Sequence, residues 1–282
     1  MLTDLRSALF TAVRRGPQTV LWPPSNIGVG NLLYFWLQAH ARQERGQDVV
    51  VRWTNAMQPW EGLFPEIFES LVARDRDISF FSPRDTSSYF QEFGDEFTQS
   101  ELDRFIDSFV LGPRSSFRQL VHSNSGHYDL TVNVRRGDYY SDPKYRGIYS
   151  FDVVEYVRTA LEAARASEPI QRIHVVSDDI EWCRAKLDWK AVACPVTYQA
   201  EGSTVGEQLA VLAASPRLIL TNSTFSYWGG YLSSRIHGTG GTSNHGRIWA
   251  PWFHRRDIYG GRAPQLDPRW STIREIRGGW DG

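Results

Sequence analysis

Two adjacent arginines directly follow a short apolar segment, and their position suits them to binding an anion. Asp129–Val134 (DLTVNV) has the apolar and β-branched pattern of a buried strand, and Arg135 and Arg136 come next. Two guanidinium groups at the end of a buried strand are costly unless an anion meets them, and the planar arginine fork matches phosphate oxygens. Because open α/β sheets bind ligands at the carboxyl ends of their strands, this pattern predicts a phosphate site.

Two other strand-like segments also end in polar residues. Arg172–Val176 (RIHVV) precedes the Ser177–Asp179 triplet, and Arg217–Leu220 (RLIL) precedes Thr221–Ser226 (TNSTFS) at the start of a helical pattern. A helix N-terminus with hydroxyls and free N–H groups binds anions, and a carboxylate between the two anion sites suits a ribose or a base edge. Parallel strands would bring the three elbows to one edge, where they predict a nucleotide-diphosphate pocket.

Each of these motifs also has a plainer interpretation. The paired arginines could be a solvated strand end, and the SDD triplet is a good N-cap for the helical pattern that follows it. The NST tripeptide at Asn222 matches a glycosylation acceptor, which matters only in a secreted protein. Asp75-Arg76-Asp77 matches a metal-binding DxD motif, but it precedes its apolar run, so we interpret it as a surface turn.

A glycine loop lies between the first strand-like segment and the first long helical pattern. Asn26–Asn31 (NIGVGN) is not a GxGxxG motif, and the Walker lysine is absent. Glycines let backbone N–H groups come close to a ligand, so Gly28, Gly30 and Asn31 are candidate ligand-binding residues of a loop facing a cleft.

The elements that position these residues alternate along the chain. Apolar runs at Thr19–Trp22, Asp48–Trp53 and the three segments above are each followed by a polar elbow and a helical pattern, with a further strand at Arg247–Ala250. This alternation predicts an α/β fold with parallel sheets. Residues 60 to 125 break the rhythm, with a helix predicted at Gln99–Leu111. We therefore expect an N-terminal α/β domain at 1–125 and a C-terminal Rossmann-like domain at 126–282, with residues 1–18 as an amphipathic first helix.

Composition excludes several classes of protein. The net charge of −1 argues against nucleic-acid binding through a basic face and against a polybasic membrane anchor. No segment approaches the ~20 apolar residues of a membrane span. The only two cysteines, Cys183 and Cys194, lie in no zinc motif, so we expect a cytoplasmic protein. The eleven tryptophans could stack on sugars or bases, or simply fill the core.

Taken together, the motifs resemble those of the α-1,2-fucosyltransferases of glycosyltransferase family 11. Asn133–Tyr139 (NVRRGDY) matches the motif HIRRGDY, Val176–Cys183 (VSDDIEWC) matches FSDDIEWC, and Asn222–Leu232 (NSTFSYWGGYL) matches NSTFSWWGAWL. Gly28–Trp36 (GVGNLLYFW) is similar to the N-terminal GLGNQLFQYA, and Ile248–Phe253 (IWAPWF) to the late iiaPxxW. The matches span almost the whole chain in the family's order.

The resemblance implies a GT-B architecture, with two Rossmann-like domains facing a central cleft, and transfer of L-fucose from GDP-fucose with inversion and without a metal. The first domain would face the acceptor, and the second would bind the GDP-sugar. Arg135 and Arg136 would neutralise the departing GDP diphosphate. The resemblance assigns donor binding to Asn133, Asp178, Asn222, Ser223, Thr224 and Ser226, with Asp178 alternatively serving as a helix cap.

Two features of the motifs bear on the chemistry. Asn133 stands where the motif has histidine, so a side chain that reads the guanine or orients the arginine loop keeps hydrogen-bonding groups but loses the titratable ring. An inverting displacement needs a base for the acceptor proton, and Asp138 and Asp142 are the candidates. Asp138 ranks first as a site residue, although pairing with an arginine would make it a poor base.

The primary hypothesis is a cytoplasmic fucosyltransferase that acts on a β-galactoside of a bacterial surface polysaccharide. Its partners would be the GDP-sugar and a glycan acceptor, with peripheral membrane association through a lipid-linked acceptor. One alternative is a transferase of the same fold that uses another GDP-sugar. The other is a non-catalytic carbohydrate-binding or scaffold protein.

Overall fold

The computed structural model describes residues 16–189, 192–238 and 246–281. Contacts divide the chain into two compact units, residues 1–118 and residues 119–282. The boundary expected after residue 125 lies just beyond the helix that crosses this division, Ser116–Asn124. The helix predicted for residues 1–18 lies, except for its last three residues, outside the described part of the chain.

Unit 1 is built on a four-stranded parallel sheet with the order β3-β2-β1-β4. Its strands are β1 (Thr19–Leu21), β2 (Val49–Arg52), β3 (Val72–Ala73) and β4 (Arg84–Asp85), and its α-helices are α1 (Val29–Glu44), α2 (Pro65–Ser70) and α3 (Gln99–Phe105), with α4 (Ser116–Asn124) leading into unit 2. The helix predicted over Gln99–Leu111 is thus α-helical at its start and continues as a π-helical turn at Ile106–Val110.

Aromatic side chains fill the core of unit 1. Helix α1 is buried along nearly all of its length, and its Trp36 packs edge-on against Phe64 and Phe68. Phe64 in turn contacts Phe117 at 5.3 Å between ring centroids. Much of the aromatic content of this half therefore serves packing.

Unit 2 holds a six-stranded parallel sheet with the order β10-β9-β8-β5-β6-β7. Its strands are β5 (Leu130–Val134), β6 (Ile173–Ser177), β7 (Val196–Tyr198), β8 (Leu218–Ile219), β9 (Ile248–Pro251) and β10 (Ser271–Ile273). Its α-helices are α5 (Gly137–Ser141), α6 (Pro143–Tyr149), α7 (Val153–Ser167), α8 (Ile180–Lys186), α9 (Val205–Ala214) and α10 (Thr224–His237).

Close helix packing supports the central strands of unit 2. A Cβ added at Gly229 of α10 would lie 2.6 Å from Leu212 of α9, and one at Gly230 would lie 2.6 Å from the ring of Trp270. These distances are shorter than van der Waals contact, so only glycine lets α10 approach its neighbours this closely. The N-terminus of α10 follows strand β8, and this packing holds it at the sheet edge.

The α/β class predicted from the sequence is confirmed: each of the two units is built on a parallel sheet flanked by helices. Strand β5, flanked by β8 and β6, is buried at all five of its residues, which explains its almost continuous apolar sequence. Within the described ranges, no helix combines the length and the apolar character needed to cross a membrane.

Candidate functional site

The three polar elbows of unit 2 follow neighbouring strands of one parallel sheet. Strand β5 pairs with β8 on one side and with β6 on the other, so the residues after these strands lie at the same edge. The register pairs Val134 with Ser177 and Val132 with Ile219. The sheet thus brings the arginine pair between the Ser177–Asp179 elbow and the Thr221–Ser226 elbow.

Both neighbouring elbows hold the backbone of the arginine pair. The amide of Arg135 donates to Thr221 Oγ1 at 3.0 Å, and the amide of Arg136 donates to Asp178 Oδ1 at 2.8 Å. These bonds satisfy the two N–H groups that follow the last residue of β5. They fix the backbone of the arginine pair, and with it the positions from which the two side chains extend.

The Arg135 side chain is about one-fifth exposed and contacts three groups. Its Nε lies 3.5 Å from Asp178 Oδ2, and its Nη1 donates to Gln208 Oε1 at 3.3 Å. The guanidinium also lies over the Phe225 ring, 4.7 Å from its centroid. One carboxylate therefore contacts both arginines, one through its side chain and the other through its amide.

Arg136 lies against two aromatic rings. Its guanidinium carbon is 3.9 Å from the centroid of Trp182 and 4.3 Å from that of Tyr140, and its Nε donates to Asp179 Oδ2 at 3.2 Å. Its side chain is 17% exposed, so little of the cation is left to water. A desolvated, oriented guanidinium interacts more strongly with a phosphate than a solvated one does.

The two aspartates of the Ser177–Asp179 elbow have different partners. Asp179 is the N-cap of α8 and accepts from the Trp182 amide at 3.2 Å, whereas Asp178 accepts from Arg136. The helix-capping alternative therefore applies to Asp179. Gly137 follows the arginines with a φ of +30°, and a Cβ there would lie 3.0 Å from Asp178 Oδ2.

A buried hydrogen-bond chain connects the elbows beneath the surface. Asn133 is fully buried; its Nδ2 donates to Val176 O at 3.0 Å, and its Oδ1 accepts from Ser226 Oγ at 2.6 Å. Ser226 Oγ lies 3.4 Å from Thr221 Oγ1, which accepts from Arg135. Of the two roles considered for Asn133, this geometry fits support of the arginine loop, since a fully buried side chain does not meet a base directly.

The other predicted residues of the third elbow differ in what they offer a ligand. Asn222 is fully buried, and its Nδ2 donates to the carbonyls of Tyr149 and His254, both at 2.8 Å. Ser223 is the N-cap of α10 and accepts from the Ser226 amide at 3.1 Å. Thr224, the first residue of the helix, is partly exposed. The groups that this elbow can offer to an anion are therefore Thr224 and the first helical amides.

Neither candidate base pairs with an arginine at this edge. Asp138 is exposed in the first turn of α5, and among the described residues its carboxylate has no hydrogen-bond or ion-pair partner. Asp142 caps α6 by accepting from the Lys144 amide at 2.8 Å. Since Asp178 and Asp179 already contact the arginines, the pairing that would weaken Asp138 as a base is not formed.

The glycine loop of unit 1 leads into α1. Gly28 is the N-cap of α1, its φ is −72°, and a Cβ there would have no heavy atom within 4 Å. Gly30 is buried, and Asn31 Oδ1 accepts from Gln91 Nε2 at 2.7 Å. The space around Gly28 is open, as the predicted close approach of a ligand requires.

Sequence reasoning missed the residues that hold the arginines in place. Gln208, Phe225, Tyr140 and Trp182 contact the two guanidinium groups, as described above. The tryptophan lies inside the motif VSDDIEWC, which was a signal that it belongs to the site. Across the described ranges, no three His, Cys, Asp or Glu side chains come together in a cluster fit for a metal ion.

Parts of the chain are similar in sequence to known glycosyltransferases. Over 127 residues the chain is 31% identical to the galactoside alpha-(1,2)-fucosyltransferase 1 of Lagothrix lagotricha, covering 43% of this chain and 34% of that protein. It is 26% identical over 129 residues to the alpha-1,2-colitosyltransferase of Escherichia coli, covering 46% of this chain and 42% of the relative. The matched region thus spans less than half the length of these relatives.

Among solved structures, POFUT1 in complex with GDP aligns with a TM-score of 0.42 and 10% identity, covering 79% of this chain and 97% of that one. The parallel sheets and the polar edge of unit 2 define an α/β protein with a candidate ligand site at the carboxyl ends of its strands. The profile of glycosyl transferase family 11 matches residues 78–239, more than half of the chain, and the protein belongs to this family.

Proposed function

We propose that this protein is a metal-independent, inverting transferase that moves L-fucose from GDP-fucose to a hydroxyl group of a β-galactoside. The linkage would be α-1,2, and the product a bacterial surface polysaccharide. Membership of glycosyl transferase family 11 and the names of the relatives support the reaction class. The proposal rests chiefly on the arginine pair that follows β5.

The arginine pair suits a nucleoside diphosphate leaving group. When the bond between the sugar and the β-phosphate breaks, negative charge develops on the phosphate oxygens, and fixed cations stabilise it most if they need no reorganisation. Arg135 and Arg136 are held by Asp178, Asp179, Gln208 and three aromatic rings. The amides at the start of α10 would add a second set of donors to the diphosphate.

The acceptor hydroxyl must lose a proton as it attacks the anomeric carbon. We assign that proton to Asp138, whose carboxylate has no partner in the described part of the chain, with Asp142 as the second candidate. Asp142 has to stop capping α6 to serve, so Asp138 ranks first.

A second candidate function is transfer of a different GDP-linked sugar by the same residues. The relative named alpha-1,2-colitosyltransferase favours this alternative, because its match to the chain is similar in length to that of the fucosyltransferases. The two reactions would share the contacts to the diphosphate and differ in the sugar of the donor. The preferred donor sugar therefore distinguishes the two candidate functions.

We further propose a cytoplasmic enzyme that meets a lipid-linked glycan acceptor at the membrane surface. Both cysteines are free thiols, and Cys183 is buried with a raised thiol pKa caused mainly by desolvation. Free, unreactive thiols suit a reducing compartment.

Isothermal titration calorimetry with GDP-fucose tests the proposal most directly. GDP-mannose and UDP-galactose serve as controls, and each titration is run with and without EDTA. We expect GDP-fucose to bind selectively in the micromolar range, with EDTA leaving the affinity unchanged, since arginines and helix amides supply the diphosphate contacts.

The other outcomes contradict specific parts of the proposal. Selective binding of another GDP-sugar keeps the reaction class and replaces fucose. A large loss of affinity in EDTA shows that a metal holds the diphosphate. Absence of binding by GDP and every GDP-sugar refutes the transferase and leaves a carbohydrate-binding or scaffold protein.

A further inference from the structure

We propose that a second site, a pocket contained within unit 1, binds a pyranose ring of the glycan acceptor; this rests on the proposed function. The pocket has a volume of about 340 Å³ and lies beyond the carboxyl ends of strands β1, β2 and β4. Its lining includes Trp22, Ser25, Phe35, Arg52, Thr86 and Tyr89. The volume is at the lower end of the range for ligand pockets, which suits one or two sugar rings.

An exposed aromatic ring forms one wall of this acceptor pocket. Tyr89 is 45% exposed although it is a large, partly apolar side chain, and its ring meets that of Phe35 edge-on at 6.1 Å. A pyranose has an apolar face of C–H groups and a rim of hydroxyls. The apolar face of the sugar can stack on the Tyr89 ring, because Phe35 contacts that ring edge-on and does not stack on it.

The loop that carries Tyr89 is held in an unfavourable backbone conformation. The next residue, Phe90, has a φ of +57°, which bulky side chains rarely adopt, and it is 4% exposed. Its ring packs edge-on against Phe35 at 5.3 Å, and its amide donates to Ser88 Oγ at 3.0 Å. Backbone strain maintained by packing is a feature of ligand-binding loops, and here it occurs directly after the exposed Tyr89.

Two hydroxyl groups of the pocket lining are available to hydrogen-bond a ligand. The hydroxyls of Ser25 and Thr86 have no protein partner among the described residues, whereas Ser87 and Ser88 donate to Asp85 and Glu96. Five of the ten lining residues carry a hydroxyl or guanidinium group besides Tyr89. An apolar ligand would leave the hydroxyls of Ser25 and Thr86 unpaired, whereas the hydroxyl rim of a sugar pairs with them.

Arg52 supplies a fixed donor at the same pocket. Its guanidinium lies 4.3 Å from the centroid of Trp22, and its Nε and Nη2 donate to the two oxygens of Asp75 at 2.6 and 2.8 Å. Nη1 remains, and among the described residues it has no hydrogen-bond partner. The ion pair with Asp75 orients the guanidinium and leaves Nη1 unbonded. Nη1 can therefore donate to a ring or hydroxyl oxygen of the sugar.

Steady-state kinetics with lactose as the acceptor probe and GDP-fucose as the donor tests the pocket. Replacing Tyr89→Ala should raise the KM for lactose about tenfold, while the Kd for GDP-fucose from calorimetry stays within about twofold. Thr86→Val should raise the lactose KM as well, because it removes a hydroxyl at nearly constant volume. Tyr89→Phe keeps the ring and should stay close to the wild type.

The matched control is Phe80→Ala, which removes another exposed aromatic ring of unit 1 outside the pocket lining. An unchanged lactose KM in Tyr89→Ala and Thr86→Val would refute the acceptor pocket. An equal loss of GDP-fucose affinity would also refute it, because the pocket would then hold the donor.

A binding measurement separates this proposal from the transferase itself. Saturation-transfer NMR with methyl β-galactoside does not require turnover, so it applies even if the protein binds no GDP-sugar. Ring-proton signals that vanish in Tyr89→Ala support the pocket. Signals that persist in that variant, or that are absent from the wild type, refute it.

Discussion

The Arg136 guanidinium is fixed by contacts on its planar faces and along its edge. Trp182 and Tyr140 lie 3.9 and 4.3 Å from it, and Asp179 accepts from Nε at 3.2 Å. Among the described residues the two Nη groups have no hydrogen-bond partner, so they can donate to phosphate oxygens. A cation placed in this way loses little side-chain freedom when a diphosphate arrives, which favours stabilisation of developing charge.

Replacing Arg136→Ala should lower kcat about 100-fold while the fold persists, because loss of one oriented donor costs about 3 kcal/mol of transition-state stabilisation. Rate measurements with saturating donor, and circular dichroism to verify folding, check this. Arg136→Lys should recover only part of the rate, since lysine keeps the charge and loses the planar fork. Retention of half the activity in Arg136→Ala would show that another group stabilises the phosphate.

Trp182 contacts the Arg136 guanidinium at 3.9 Å, so under the proposed function we expect it to act as a positioning residue for Arg136. Trp182→Leu should reduce kcat about tenfold, with a smaller change in the KM for GDP-fucose, because the guanidinium loses its orientation. Trp182→Phe restores an aromatic face and should recover most of the rate.

A matched control for this prediction is Tyr198→Leu. Tyr198 lies under Arg184 at 4.0 Å in the same unit but on the edge strand β7, away from the arginine pair. An equal loss of kcat in both variants would mean that general destabilisation, and not orientation of Arg136, explains the effect.

At the scale of elements, the packing of α10 depends on glycine. Gly230→Ala would bring a Cβ to 2.6 Å from the buried Trp270 ring and 2.8 Å from Leu220. We expect the free energy of unfolding to fall by about 1–3 kcal/mol, the usual cost of overpacking. Urea unfolding followed by tryptophan fluorescence measures the change.

Gly147→Ala is the control for this substitution. Gly147 lies within α6, and a Cβ there meets no heavy atom within 4 Å. Because alanine is the better helix former, this variant should be unchanged or up to about 1 kcal/mol more stable. Equal destabilisation of both variants would show that loss of glycine itself, and not the contact with Trp270, is responsible.

Strands within an apolar run were predictable from the sequence, even when short, and a strand without apolar residues was not. The patterns at Thr19–Trp22 and Asp129–Val134 match β1 and β5 closely, since strands covered on both faces need continuous apolar sequence. Strand β4 is only Arg84–Asp85 and carries no apolar residue. Its pairing with β1 depends on tertiary contacts, which the local sequence pattern does not predict.

The candidate site was predictable in its composition and not in its side-chain contacts. Three strand patterns, each followed by polar residues, predicted three elbows at one edge of a parallel sheet, and the sheet order brings them together. Sequence could not tell that Ser226 and Asn222 are fully buried whereas Thr224 is partly exposed. That difference depends on how α10 packs, which is decided by Gly229 and Gly230 and their neighbours in space.

At the scale of the whole molecule, a buried histidine makes stability depend on pH. His254 is 4% exposed, its carbonyl accepts from Asn222, and desolvation, reinforced by Arg255, lowers the pKa of its imidazole to about 3. In the unfolded chain the pKa is about 6.5. Below that pH the imidazole is protonated in the unfolded state and stays neutral in the folded state. The free energy of unfolding therefore falls as the pH falls.

The protein should therefore lose about 2 kcal/mol of stability between pH 7 and pH 5 through His254 alone. Urea unfolding at both pH values measures this loss, and His254→Gln should show a correspondingly smaller dependence on pH. His122 is exposed, so His122→Gln should behave like the wild type. An unaltered pH dependence in His254→Gln would mean that other groups, such as the buried His174, account for it.

The parallel pairing of every strand in both sheets also has a consequence for how the chain reaches its native state. Parallel neighbours cannot be joined by a hairpin, and β5 pairs with β8 across more than eighty residues of sequence. To form such non-local pairings the chain must first lose the entropy of closing a long loop, and the stabilising contacts come only afterwards. The polypeptide should therefore fold slowly and expose unpaired strand edges while it folds. Refolding from denaturant should accordingly be slow and prone to aggregation, with yields that improve on dilution or with a chaperone.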